Sequence, residues 1–169
     1  MSDDKPLVGV VMGSDSDFET MKRCLDLLGS LGVPAEVRVI SAHRSPDAAH
    51  EYAAEAEGRG LKVIIAAAGM SAALSGVLAA KTTLPVIGVP MTSGPLLGVD
   101  AALSTLQMPP GVPVGCMAIG SAGATNAAVY ATEILATSDR KLAERLRQFK
   151  ADQARKVAEK DAAIQNRKS

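Results

Sequence analysis

The chain has 169 residues, 47% hydrophobic and 21% charged, with eighteen basic side chains balanced by eighteen acidic ones. That length most simply forms one soluble domain with a substantial core. With no net charge, no tryptophan, two tyrosines and two phenylalanines, it lacks both the field that attracts nucleic acid or an anionic membrane and the platforms on which bases stack. Neither is expected as a partner.

Met1-Ser2-Asp3-Asp4-Lys5 is polar and acidic, without the basic-then-apolar order of a secretory signal. Leu7-Val8-Gly9-Val10-Val11-Met12, a continuous apolar run ended by Gly13, predicts a fully buried parallel strand. A helix follows over Phe18–Leu31, with Met21, Cys24, Leu25, Leu28 and Leu31 on one face. Gly32-Val33-Pro34 breaks it, and Ala35–Ile40 form a second strand. Pro46 fits the first position of a helix and Asp47 suits its dipole, so a second helix runs from there to about Glu57. A third strand is expected over Leu61–Ala66, an alanine-rich helix over Ser71–Lys81, and a fourth strand over Pro85–Val89. Val99–Gln107 reads as a helix, Val112–Ile119 as a fifth strand and Thr125–Ala136 as another helix.

Alternation of short apolar strands with helices means a parallel sheet covered on both faces, a doubly wound α/β domain with its core over about 6–136. The segment from Ser138 to about Gln165 is polar and helical, with Leu142, Leu146, Phe149 and Val157 as a thin apolar stripe. Such a helix either projects into solvent or clasps another subunit. The apolar runs are all broken before membrane-spanning length. Cys24 and Cys116 fall in predicted elements without metal-ligand spacing, as expected of two buried thiols in a reducing cytoplasm.

In open α/β sheets ligands collect in the loops leaving the carboxyl ends of strands. The first such loop is Gly13-Ser14-Asp15-Ser16-Asp17, whose glycine, hydroxyls and amides suit an anion, and whose carboxylates suit ribose hydroxyls; capping of the following helix by Asp15 or Asp17 is the plainer reading. The second is Ser41-Ala42-His43-Arg44. Arg44 can fork onto a phosphate or carboxylate, with Ser41 adding a hydroxyl. His43 is one of two histidines and the candidate for proton transfer near neutral pH, whereas His50, amid Ala48-Ala49-His50-Glu51, is a surface or packing residue. The third loop, Ala66 to Gly76, is almost free of bulky or charged side chains. Gly69 and Ser71 there allow close approach to a carboxylate or carbon dioxide, although tight helix–sheet packing would use the same small residues. No P-loop, complete dinucleotide fingerprint or nucleophile elbow occurs.

Together these loops resemble the N5-carboxyaminoimidazole ribonucleotide mutases of purine biosynthesis and the related aminoimidazole ribonucleotide carboxylases. The matching pieces are Val11–Asp17, Ser41–Asp47, Pro85–Pro90, Leu106–Pro109, Ala118–Gly120 and Ala122–Ala128, in that order between Val8 and Leu135. The resemblance implies a flavodoxin-like three-layer domain over the whole chain, a homo-octamer with sites at subunit interfaces, and chemistry without metal or organic cofactor. It implies Ser14 and Arg44 near the substrate phosphate, Asp17 on the ribose and His43 as the residue that moves the proton.

One departure stands in the third loop. Gly69-Met70-Ser71-Ala72-Ala73-Leu74-Ser75-Gly76 has Ala73 where the mutases carry the histidine of Ala-Ala-His-Leu-Pro-Gly, and is closer to the Gly-Arg-Ser-Asn-Ala-Leu-Ser-Gly loop of the carboxylases. Those carboxylases often have lysine where this chain has Arg44. The expectation is a mutase acting on a ribonucleotide and carbon dioxide; the alternatives are a carboxylase taking carbon dioxide directly and a noncatalytic nucleotide-binding module.

Overall fold

The computed structural model describes residues 5–166; the polar Met1–Asp4 stretch, like residues 167–169, lies outside the described residues. Five parallel strands form one sheet in the order β2-β1-β3-β4-β5. They are β1 (Val8–Met12), β2 (Ala35–Val39), β3 (Val63–Ala68), β4 (Val86–Pro90) and β5 (Gly115–Cys116). The helices are α1 (Phe18–Ser30), α2 (Pro46–Ala56), α3 (Leu74–Ala79), α4 (Val99–Leu106), α5 (Ser121–Ala136) and α6 (Arg140–Gln165). This is a flavodoxin-like three-layer α/β fold with an added carboxyl-terminal helix.

The central strands read as unbroken apolar runs because both their faces are covered. Val8, Val10 and Met12 of β1 join Val63 and Ile65 of β3 in a cluster with Met21, Cys24 and Leu28 of α1 and the alanines of α5. Val11, Ile64 and Ala66 face the other way, onto Ala49, Tyr52 and Ala53 of α2 and Leu74 and Leu78 of α3. Each such aliphatic side chain contributes about 1.5–3 kcal/mol by leaving water. The helical spacing read in α1 holds, with Leu25 at the half-buried margin. Burial of Cys24 pushes its thiol up to about 12, whereas Cys116 is only half-buried.

β2 is an edge strand, and its Val37 and Val39 are exposed. Its Glu36 accepts a hydrogen bond from Tyr52 Oη of α2 (2.8 Å), and Arg59 lies 3.0 Å from the same carboxylate. Gly9 admits this contact, since a Cβ there would fall 2.1 Å from Tyr52 Oη. The α2 helix, which follows the His43 loop, is thereby tied to the sheet.

Several boundaries differ from expectation for physical reasons. The strand expected over Val112–Ile119 is only Gly115–Cys116. Pro113 has no amide to donate, and beyond the strand single bonds from Met117 to Gly88 O (2.9 Å) and Gly120 to Pro90 O (2.8 Å) continue the connection. The third helix begins at Leu74, not Ser71, because the chain turns there: Met70 has φ 55° and the Ala73 amide donates to Ser71 O (2.8 Å). β3 is shifted two residues toward its carboxyl end, to Val63–Ala68.

α5 starts at Ser121 rather than Thr125, taking Gly123 into its first turn. A Cβ on Gly123 would lie 1.7 Å from Ala118 O, a backbone atom that cannot swing aside. Gly123→Ala is therefore expected to cost about 1–3 kcal/mol by overpacking, read as a lower denaturant midpoint at unchanged m.

α6 packs through Leu142 and Leu146, with Phe149 half-buried, and Asp139 caps it by accepting from the amides of Lys141 (2.9 Å) and Leu142 (3.1 Å). Arg145 reaches back to donate to Leu31 O (2.9 Å) at the end of α1. Beyond Asp152 the helix is exposed, including Val157, at the end of the apolar stripe read in the sequence. No helix among the described residues is long and apolar enough to cross a membrane.

Candidate active site

Parallel register brings the strand ends to a common edge: Met12 pairs with Val39 and Ala67, and Ala68 with Pro90. The chain runs from β1 outward to β2, then back past β1 to β3. A crevice opens where the winding reverses, beyond the carboxyl ends of β1 and β3. A cleft of about 500 Å³ lies there, lined by the loops after β1, β2 and β3 and by Ser93 after β4. Ser14, Asp17, Ser41, His43, Arg44, Gly69 and Ser71 all line it.

The first loop is tied to the third strand by the Gly13 amide, which donates to Ala67 O (2.9 Å). Ser14, and not an aspartate, caps the short 3-10 turn Asp15–Asp17: its Oγ accepts from the Ser16 amide (3.2 Å) and from Ser16 Oγ (2.8 Å). Neither aspartate is spent on capping α1, which corrects the plainer reading of this loop. Asp17 is 8% exposed. Burial raises its carboxyl pKa above the ordinary value, Asp15 adds to the rise, and a backbone hydrogen bond at Ser14 opposes it.

In the second loop Ser45 Oγ donates to Ser41 O (2.9 Å) and accepts from the Ser41 amide (3.2 Å), closing the turn ahead of α2. Ser41 Oγ accepts from the Arg44 amide (3.2 Å) and Nε (3.4 Å), while the same guanidinium donates to Gly13 O (3.3 Å). Ser41 thus orients Arg44, and Arg44 bridges the first two loops. His43 between them is exposed to the cleft, its ring making no hydrogen bond to the described residues. His50 is on the exposed face of α2, outside the cleft.

The third loop brings backbone and small side chains to the opposite wall. Met70 at its rim is exposed with φ 55°, the left-handed region that non-glycine residues rarely adopt and that clusters at functional sites. Sequence reasoning named the loops that carry Ser16 and Met70 without singling out either residue, and missed Ser93. Ser93 was discoverable, since Met91 and its successors leave the carboxyl end of a strand as surely as the other loops do. The assembled groups are a guanidinium for an anion, a carboxylate for hydroxyls, an imidazole for a proton, and an uncharged wall for a small group.

Residues 7–156 match the family model described as AIR carboxylase. The chain belongs to the AIR carboxylase family. Among relatives in that family, it is 56% identical over 151 residues to the N5-carboxyaminoimidazole ribonucleotide mutase of Pseudomonas aeruginosa, covering 89% of this chain and 93% of the relative. It is 57% identical over 142 residues to the protein of the same name from Bacillus subtilis, covering 84% and 88%. A crystal structure of Treponema denticola PurE superposes with a TM-score of 0.84 at 28% identity, over 94% of this chain and 98% of that one.

Proposed function

We propose that this chain is an N5-carboxyaminoimidazole ribonucleotide mutase of purine biosynthesis, an isomerase that moves a carboxyl group from nitrogen to carbon within one catalytic domain spanning residues 1–169. The observation that carries the reading is the meeting of His43, Arg44 and Asp17 in one cleft, in a chain half or more identical to proteins of that name. Arg44 and Ser14 hold the substrate phosphate, Asp17 the ribose hydroxyls, and Ser41 keeps Arg44 in place. Gly69 and Ser71 let the carboxyl group lie close against the backbone.

The chemistry follows from the substrate. The carbamate N–C bond breaks, releasing carbon dioxide as the nitrogen takes up a proton. The resulting aminoimidazole is an enamine, and its carbon 4 attacks the trapped carbon dioxide to form the new C–C bond. Carbon 4 then loses its proton and the ring regains aromaticity. One proton enters and one leaves, so a single imidazole working near neutral pH can carry both transfers; His43 is that group. Holding carbon dioxide beside carbon 4 replaces a chemical carrier, so the proposed reaction uses neither ATP nor cofactor. The test is to mix the protein with N5-carboxyaminoimidazole ribonucleotide without ATP and follow the carbon-carboxylated product; a rate equal to the spontaneous one rejects the proposal.

A second reading, direct carboxylation of aminoimidazole ribonucleotide, is favoured by one observation: Ala73 lines the cleft where the mutases carry a histidine. The origin of the carboxyl carbon separates the two.

Asp17 gives a test with opposite signs. Its raised carboxyl pKa means that the folded state resists ionisation. The group costs nothing below its unfolded pKa, and stability falls as pH rises from there through the folded value. Asp17→Asn is expected to raise Tm at neutral pH, to leave it unchanged below about pH 3, and to weaken nucleotide binding about tenfold by replacing a charged acceptor. Thermal unfolding at both pH values and calorimetry check all three.

The proposed assembly is a homo-octamer in the cytoplasm. Leu96, Leu97, Val99, Leu103 and Leu106, on α4 and the turn before it, are each more than half exposed, an apolar patch of the kind that marks protein–protein contact. Light scattering should give eight times the chain mass; a monomer would contradict this.

A further inference from the structure

The cleft is chemically lopsided. Arg44, His43 and Asp17 all stand on the loops after β1 and β2, whereas the wall built after β3 and β4 has no charged side chain. Its polar side chains are the hydroxyls of Ser71 and Ser93. The hydroxyls of Ser14, Ser16 and Ser41 are already engaged within their own loops, but those of Ser71 and Ser93 have no partner among the described residues. Ser71 is exposed at the rim, while Ser93 is half-buried in the wall.

Ser93 is held firmly. Its amide donates to Met91 O (3.0 Å), and the Met91 amide donates to Ala68 O (2.9 Å) at the end of β3. A Cβ on Gly69 would fall 1.7 Å from Ser93 Oγ and 3.0 Å from Ser93 Cβ. Gly69 is not among the residues with positive φ, so its backbone conformation does not demand glycine. What a side chain there would meet is the Ser93 hydroxyl, which would have to move aside.

We infer that Ser93 binds the carboxyl group being moved: its Oγ–H donates to an oxygen of the substrate carbamate and keeps that bond while carbon dioxide is in transit. The inference rests on the mutase reading and deepens it. The phosphate and ribose are matched to the charged wall, which leaves the reacting end of the substrate against the uncharged one. A neutral donor suits a group that alternates between carboxylate and carbon dioxide. A cation would stabilise the starting carboxylate more than the departing neutral molecule and raise the barrier.

The experiment uses Ser93→Ala in buffer containing heavy-carbon bicarbonate. Expected are a fall in kcat of about tenfold as carbon dioxide in transit is held less well beside carbon 4, and a larger fraction of early product carrying solvent carbon as it escapes. Affinity for aminoimidazole ribonucleotide, which lacks the carboxyl group, should stay unchanged. Gly69→Ala, which displaces the hydroxyl without removing it, should also raise the labelled fraction. Parental kcat and labelling in Ser93→Ala would overturn the inference, and so would a loss of kcat matched by an equal loss of affinity for the ligand without the carboxyl. If the parent protein itself fails to convert the carbamate, the mutase reading falls, and the inference with it, before any variant is compared.

Discussion

His43→Asn is expected to lower kcat by about 10²–10⁴-fold, the range for losing a positioned acid–base group, while nucleotide affinity stays close to that of the parent. The separation follows from the geometry. His43 lines the cleft, but its ring makes no hydrogen bond to the described residues, so removing it breaks no hydrogen bond among them. The neighbouring Arg44 is held independently, by Ser41 Oγ and Gly13 O. Asparagine retains polarity and can donate and accept, but it cannot take up and return a proton near neutral pH. Loss of turnover with binding preserved is thus the signature of a proton carrier. Near-normal turnover would remove His43 from that role.

Arg44→Ala should act in the complementary way, weakening nucleotide affinity by about ten- to a hundredfold through lost charge-assisted hydrogen bonds, with a smaller change in kcat once the site is saturated. Its guanidinium crosses from the second loop to Gly13 of the first, where a phosphate held at Ser14 would sit. Binding by the parent should weaken with added salt, and the variant should respond less. Arg44→Lys would keep the charge but not the fork, and is expected to fall between the two. An unchanged affinity by calorimetry would take Arg44 out of the phosphate site.

Much of this site is legible because the relevant signals are local. β1 announces itself by an unbroken apolar run, and the loop after it by glycine and serine. Pro46 marks the start of α2 and so fixes the Ser41–Ser45 turn just ahead of it. The parts that were not legible depend on contacts between distant segments. Gly123 reads as a loop residue but belongs to α5, packed on Ala118 O. Likewise, Gly69 reads in the sequence as room for a ligand or for helix–sheet packing, whereas its missing side chain also makes room for Ser93, more than twenty residues away along the chain. The capping of the first loop depends on local rotamers: Ser14 caps the short turn ahead of α1, while Asp17, at the capping position of α1 itself, makes no side-chain bond to that helix. A two-residue β5 is hidden for another reason, since apolar composition around Pro113 suggests a strand whose ladder proline cannot complete.

In the proposed mutase reaction the carboxyl group moves from nitrogen to carbon without leaving the cleft. The most direct measurement supplies the parent protein with N5-carboxyaminoimidazole ribonucleotide in heavy-carbon bicarbonate without ATP, and weighs the early product by mass spectrometry after correction for spontaneous decarboxylation. Product with the substrate's own carbon is the expected result. Product carrying solvent carbon would contradict it and make the third loop, with Ala73 in place of histidine, the better guide to the chemistry.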